Sequence, residues 1–320
     1  MKIKSIEHLS DTFDIPFDEN NQFDAVGFGL NSMDHLCLVP EYPKLSFKTE
    51  IAQYSVSPGG QVATAMVFLA RMGLKTKYIG KFGGDDFAQS SLNSIISESV
   101  DTTAVQMEKF ARSQFSIIMI DQKNGERTVF CHRDKKLDFK DSELKEENIC
   151  SGKILHLDGY DSASLKAANW CQARGIPVCM DLDTVVDDCQ HLIKKVDFLI
   201  VSSNFPQEFT GIDDPMKAFK ELRQCFDGFL AMTMGSGGAL AWVGKQCAAF
   251  PGLRIKALDT TGAGDIFHGA FIYGLLQNWP LSKIMNFSNT AAGLSCGHLG
   301  AREGIYSRDE ILHYTHLLIK

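Results

Sequence analysis

The chain has 320 residues, 44% of them hydrophobic and 22% charged, and carries a formal net charge of −7. That composition is ordinary for a globular protein and long enough for one large α/β domain, while the acidity disfavours nucleic acid or an anionic membrane as partner. Nine cysteines, odd in number and never paired as C-x-x-C, read as thiols in a reducing compartment rather than a disulfide framework or a zinc site.

Residues 1 to about 22 are polar and acidic and read as a peripheral arm. Asp24 to Leu30 then forms a short apolar run, a candidate buried strand. Asn31 and Asp34 follow it, where polar groups at the carboxyl end of a sheet strand meet ligands. Between Leu36 and Ser57 the pattern loosens around Pro40 and Pro43, with an extended stretch from Phe47 to Val56 that leaves the main sheet. Gly59, Gly60 and Gln61 open a helix that carries Thr64 and stops at Gly73; the two glycines bring backbone close to a ligand.

Lys77 to Phe82 reads as a strand and Asp86 to Ser97 as an amphipathic helix. Phe115–Asp121 and Arg127–His132 flank an Asn124-Gly125 turn, which predicts a hairpin. From Ile154 onwards short apolar strands alternate with helices, so the sheet is mostly parallel and covered on both faces. Asp158 follows the first of these strands, Asn204, Gln207 and Glu208 a later one, and Thr233, Gly235 and Gly237 another. No break in composition separates these units, so the whole of 1–320 is expected to form one domain.

The densest chemical signal is Asp259-Thr260-Thr261-Gly262-Ala263-Gly264-Asp265, running into a helix. Ile266, Phe267, Ala270, Phe271, Gly274 and Leu275 recur at helical spacing and predict one apolar stripe. Thr260 or Thr261 is placed to cap the helix, whose open N–H groups and positive dipole end suit a phosphate. Asp265 sits in the first turn. A carboxylate there suits the dipole on structural grounds alone, but beside a phosphate it can also take a proton from an attacking hydroxyl. There is no P-loop Gly-Lys-Ser/Thr in the sequence. The nine histidines show no metal-ligand spacing, His313 and His316 included.

This motif, with Phe267-His268-Gly269-Ala270-Phe271 after it, resembles the second signature of the ribokinase-like (PfkB) carbohydrate kinases. Gly59-Gly60 resembles the first, although Gln61 and Thr64 stand where that family usually carries Asn or Lys. The resemblance implies a three-layer α/β fold with a central, mostly parallel sheet and a small β-sheet lid, here segments 34–57 and 112–134. It implies an ATP-dependent kinase for a hydroxymethyl group of a small ribose- or fructose-like sugar. Asp265 would be the base, with Gly262, Ala263 and Gly264 holding the developing charge.

Asp34, Asn31, Gly59, Gly60, Gln61, Thr64, Asp158 and Arg133 would bind the sugar. Asn204, Gln207, Glu208, Thr233, Gly235, Gly237 and Asn289 would bind nucleotide and Mg²⁺, with the choice between Gln207 and Glu208 open. Asp259, with the backbone of 296–300, resembles the family's monovalent-cation (K⁺) site. A homodimer through the lid is expected, in the cytoplasm, since no signal-peptide region or membrane-length apolar run is present. Alternatives are a nucleoside kinase, with Tyr54, Phe115 and Phe130 sandwiching a base, a sugar-phosphate kinase, or a non-enzymatic sensor.

Overall fold

The computed structural model describes residues 6–159, 161–186 and 189–318, with side chains described as far as 316. Residues 1–5 of the N-terminal arm lie outside the described residues. In chain order the strands and helices are β1 (Phe23–Phe28), β2 (Ser32–Val39), β3 (Gln53–Gly59), α1 (Gln61–Arg71), β4 (Thr76–Ile79), β5 (Lys81–Phe82), α2 (Asp86–Ile96), β6 (Gln106–Met107), β7 (Phe115–Asp121) and β8 (Arg127–His132). There follow α3 (Glu146–Ile149), β9 (Gly152–Leu157), α4 (Ser162–Arg174), β10 (Val178–Leu182), α5 (Cys189–Ile193), β11 (Phe198–Ser202), α6 (Phe205–Thr210), α7 (Pro215–Cys225), β12 (Phe229–Thr233), β13 (Ala239–Val243) and β14 (Gln246–Phe250). Three helices close the chain: α8 (Ala263–Leu276), α9 (Leu281–Ser295) and α10 (Arg308–Leu318).

The large sheet has the order β14-β13-β12-β11-β10-β9-β1-β4. Its pairs from β12 to β4 are parallel, and β13 and β14 add an antiparallel edge. Both faces are covered, by one apolar cluster that includes α1, α8 and α9 and another that includes α4 and α7. This is why the strands read as continuous apolar runs rather than alternating ones. Because β1, β9, β10, β11 and β12 run the same way, the residues after them gather along one edge of the sheet.

A second sheet, β3-β2-β7-β8, stands apart from the first. Leu36, Leu38, Ile118 and Ile120 form its inner core, packed on Leu258 and Leu299. The β7–β8 pair is the hairpin that the Asn-Gly turn predicts, with Gly125 at φ 73°.

Four expectations need correction. The segment after Asn31 is a regular strand: Asp34 lies inside β2, its buried carboxylate accepting from Ser32 Oγ rather than facing solvent. The Lys77–Phe82 run is split into β4 and β5, which join different sheets. The described part of the arm is not peripheral, since Ile6 and Phe13 are buried and Phe13 packs edge-on to Phe198 and Phe229 at 5.1 and 5.2 Å. Its apolar residues are too widely spaced among charges to look like a core segment. Finally, α8 is buried on every side from Ile266 to Leu275 rather than along one stripe, because α1, α9 and the sheet all pack on it.

Candidate active site

The head of α8 is shaped by backbone. Gly262 is the N-cap residue at φ 78°, in the left-handed region, and a Cβ there would come within 2.6 Å of Ala301. Neither Thr260 nor Thr261 caps the helix by its side chain, contrary to the sequence expectation. Thr260 Oγ donates to the Gly125 carbonyl instead, at 3.1 Å, and the Thr261 hydroxyl is buried with no partner among the described residues. Asp259 is the organiser of this turn: its two oxygens accept from Thr261 N–H and Gly300 N–H, both at 2.8 Å. The N–H groups of Gly264 and Asp265 have no hydrogen-bond partner among the described residues, so they stay open for an anion.

Asp265 is half-buried in the first turn. Burial first, and then the neighbouring Asp181, push its carboxyl up to about 7, while Arg127 opposes the shift. Asp34 and Asp183 add smaller raising effects, so these carboxylates lie close enough to influence Asp265. A base tuned near neutral pH is matched to proton transfer from a hydroxyl.

Asp34 is buried on the inner face of β2, with Ser32 Oγ donating to it at 2.7 Å. Gly59 lies against it so closely that a Cβ would stand 2.0 Å from Asp34 Oδ2. Burial raises the Asp34 carboxyl, opposed by Ser32, Ser116 and Arg302. Arg302 is the main residue that sequence reasoning missed here. It is 3% exposed, and its guanidinium donates to the Gly59 carbonyl (2.8 Å), Ser94 Oγ (3.0 Å) and Thr64 Oγ (3.3 Å). Thr64 is thereby placed as a partner of Arg302 within the core.

Asn31 spends its amide donors on Tyr78 Oη (2.9 Å) and the Lys81 carbonyl (3.0 Å), leaving its oxygen as the free acceptor. Asp158 accepts the Leu30 N–H at 3.0 and 3.2 Å, and burial pushes its carboxyl up to about 8. Asn31, Asp158, Lys81 and Arg133 line a common pocket. The two cations are already paired: Lys81 Nζ with Glu143 at 2.6 Å and Arg133 with Asp138 at 2.9 Å. Gln61 is the first residue of α1 and donates to Asp181 Oδ2 at 3.1 Å. Asp181 went unremarked in the sequence because it lies inside an apolar strand, β10.

Further along the edge, Asn204 precedes α6 and is exposed, as is Glu208. Gln207 instead donates its side chain to the Asp213 carbonyl. Thr233 ends β12, and Gly235–Gly237 form a single 3₁₀ turn after it. Asn289 is buried on α9 and spends its donors on the Phe250 and Pro251 carbonyls at 2.9 and 3.2 Å, so it shapes that loop. The strand register sets Tyr54, Phe115 and Phe130 on the face of the small sheet opposite Asp34. They cannot sandwich a base in this chain's own mouth, which removes the feature that favoured a nucleoside.

The mouth therefore combines a tunable carboxylate, open N–H groups beside it and a buried carboxylate suited to hydroxyls. The pfkB family carbohydrate kinases match residues 24–308. The chain is 27% identical over 293 residues to the ribokinase of Lactococcus lactis, covering 88% of this chain and 94% of that one. Fructokinase-2 of Zea mays is 24% identical over 305 residues, covering 87% and 89%. The fold matches that of Arabidopsis thaliana ribokinase complexed with ribose and ATP, with a TM-score of 0.76 at 19% identity over 92% of this chain and 98% of that one. It also matches the Giardia lamblia ribokinase, with a TM-score of 0.79 at 17% identity over 92% and 99%. The chain belongs to the pfkB family of carbohydrate kinases, phosphotransferases that act on an alcohol group.

Proposed function

We propose that this chain transfers the γ-phosphoryl group of ATP to a hydroxymethyl group of a small, neutral ribose- or fructose-like sugar. The observation that carries this reading is Asp265 seated beside the open N–H groups of α8, in one mouth with Asp34. Asp34, the Asn31 oxygen and Asp158 hold sugar hydroxyls, with Gly59 and Gly60 admitting the ring close to backbone. Asp265 takes the hydroxymethyl proton as the oxygen attacks γ-phosphorus and the bond to the bridging oxygen of ADP breaks. The N–H groups of Gly264 and Asp265 meet the charge that develops.

Thr233, Gly235, Gly237 and Asn204 border the nucleotide. Glu208 takes the magnesium role over Gln207, because Gln207 is committed to Asp213 while Glu208 is exposed with hard oxygen donors. Mg²⁺, when bound with ATP, neutralises phosphate charge. The orphaned Thr261 hydroxyl beside Asp259 suits a hard monovalent cation such as K⁺. The exposed apolar row of Tyr54, Val56, Ile117 and Phe130 on the outer face of the lid fits a second copy of the chain, giving a homodimer. None of the nine cysteines is joined in a disulfide, in keeping with the cytoplasm as compartment.

An ADP-release assay with a panel of sugars, sugar phosphates and nucleosides tests the substrate class. Turnover with ribose or fructose, lowered by about 10²–10⁴-fold in Asp265→Asn with sugar binding retained, is expected. A nucleoside as the preferred acceptor, or full activity in that variant, would overturn the reading.

A further inference from the structure

Beneath the mouth lies a cluster that phosphoryl transfer does not use. β9 and β10 pair in parallel with His156 opposite Cys179, so the two side chains leave the sheet on the same face. Asp181, two residues beyond Cys179, shares that face. Helix α8 covers it and contributes His268, three residues after Asp265. His156 and Cys179 are fully buried and His268 is 2% exposed. One ligand atom from each of the three lies within 4.8 Å of the others.

The hydrogen bonds around the cluster orient both rings. His156 Nδ1 lies 3.2 Å from the Cys179 carbonyl, which can only accept, so Nδ1 carries the proton and Nε2 a lone pair. His268 Nε2 lies 3.2 Å from Asp181 Oδ1, and with Asp181 as a carboxylate its Nδ1 likewise carries a lone pair. His156 Nε2 and His268 Nδ1 are both buried with no hydrogen-bond partner among the described residues. Two buried imidazole nitrogens without a hydrogen-bond partner are costly unless a ligand satisfies them.

We propose that His156 Nε2, His268 Nδ1 and Cys179 Sγ form a buried binding site for a transition-metal ion of the Zn²⁺ class. The outer partners are those expected of metal-bound imidazoles, one ring donating to a backbone carbonyl and the other to a carboxylate. Two imidazoles and a thiolate suit Zn²⁺ and exclude hard Mg²⁺, so this site is separate from the one that serves ATP. Metal–ligand bonds of about 2.0–2.3 Å require the three atoms to draw together slightly. On binding, the Cys179 thiol gives its proton to solvent, and the thiolate with the Asp181 carboxylate balances the two charges of the ion. The ion would pin α8, and with it Asp265, to β9 and β10. Through Asp181 it would also steady Gln61. Its role is positioning rather than chemistry on the substrate.

The exposed thiols Cys131 and Cys225 are first removed by Cys131→Ser and Cys225→Ser to suppress adventitious binding. This full-length protein is then assayed for metal as purified from Zn²⁺-supplemented cells, and, after chelation, titrated with Zn²⁺ or Co²⁺ alone. About one equivalent per chain is expected, with a rise in Tm and, for Co²⁺, a thiolate charge-transfer band with tetrahedral d–d absorption. Cys179→Ser should abolish the charge-transfer band, and Asp181→Asn should weaken binding by about 10–100-fold. Absence of stoichiometric metal in the folded parent protein would overturn the proposal. So would an unchanged charge-transfer band in a folded Cys179→Ser variant.

Discussion

Arg127 Nη1 donates to both the carbonyl and the hydroxyl of Thr260, at 2.9 and 2.8 Å. One residue of the β8 strand is thus bonded to the turn that opens α8. The same guanidinium opposes the rise of the Asp265 carboxyl. As the proposed base, Asp265 must be ionised to accept a proton, and its carboxyl is pushed up to about 7, so activity should be lost as pH falls through that value. We expect kcat/KM to rise with pH to a plateau above about 7. In Arg127→Gln the midpoint should move upward, and kcat/KM at pH 6.5 should fall about tenfold, or roughly 1.4 kcal/mol. A midpoint that stays in place would dissociate Arg127 from the base.

Arg302 makes a different kind of link. Its guanidinium is buried against the Gly59 carbonyl and Thr64, and it supplies positive charge beside Asp34. Burial lowers it to about 10, so it remains charged at neutral pH. Arg302→Met would leave the carbonyl unsatisfied and a carboxylate without its countercharge. The expected loss is about 3–5 kcal/mol of stability by urea denaturation, with a raised KM for the sugar in whatever folds. Arg302→Lys should recover little, since one ammonium cannot serve the separate acceptors. Parent-like stability in Arg302→Met would refute this account.

Arg302 also marks the limit of what the sequence could reveal. The alternation after Ile154 and the Asp259–Leu276 stretch are legible because strand runs, glycines and helical periodicity are local signals. Arg302 meets Gly59 across 243 positions, and Arg127 meets Thr260 across 133, so no spacing rule connects either pair. His156, Cys179 and His268 are invisible as a group for the same reason: sheet register and helix packing bring them together. The capping threonines were misread because a glycine in the left-handed region already closes the turn. Strand β2 was obscured by Asp34 and His35, polar residues on opposite faces of an otherwise apolar strand.

Asp158 gives a stability prediction with a definite sign. Its carboxyl is pushed up to about 8 from an ordinary value of 3.8, mainly by burial. The native state therefore holds a proton that the unfolded chain releases between those two values. Stability contributed by this group is greatest near pH 4 and falls as pH rises towards 8. Asp158→Asn retains an acceptor for the Leu30 N–H and removes the charge. It should raise Tm relative to the parent at pH 8–9, by an amount equivalent to a few kcal/mol at most, and make little difference near pH 4. A variant destabilised equally at both pH values would show that the carboxyl is ionised in the native state.

The charge of the acceptor follows from how the cations of the mouth are spent. Lys81 is bonded to Glu143 and to the Asp138 carbonyl, Arg133 to Asp138, and Arg302 to Gly59, Thr64 and Ser94. Arg127 is held at Thr260, beside the head of α8. Against them stand the acidic groups Asp34, Asp181, Asp183 and Asp265, with Asp158 beside them; Asp181 and Asp183 raise the carboxyls of Asp158 and Asp265, and Asp183 raises that of Asp181. A dianionic acceptor would have to break an existing ion pair to find a partner and would meet several carboxylates on arrival. A neutral sugar meets only hydrogen-bonding groups. We therefore expect kcat/KM for a neutral sugar to exceed that for its phosphate by about 100-fold, or roughly 2.7 kcal/mol. Raising the ionic strength should leave the neutral substrate's kcat/KM nearly unchanged, because no attraction is there to be screened. The opposite pattern, a preferred sugar phosphate whose kcat/KM drops steeply with salt and collapses in Arg133→Ala, would mean that the Arg133–Asp138 pair opens to receive it.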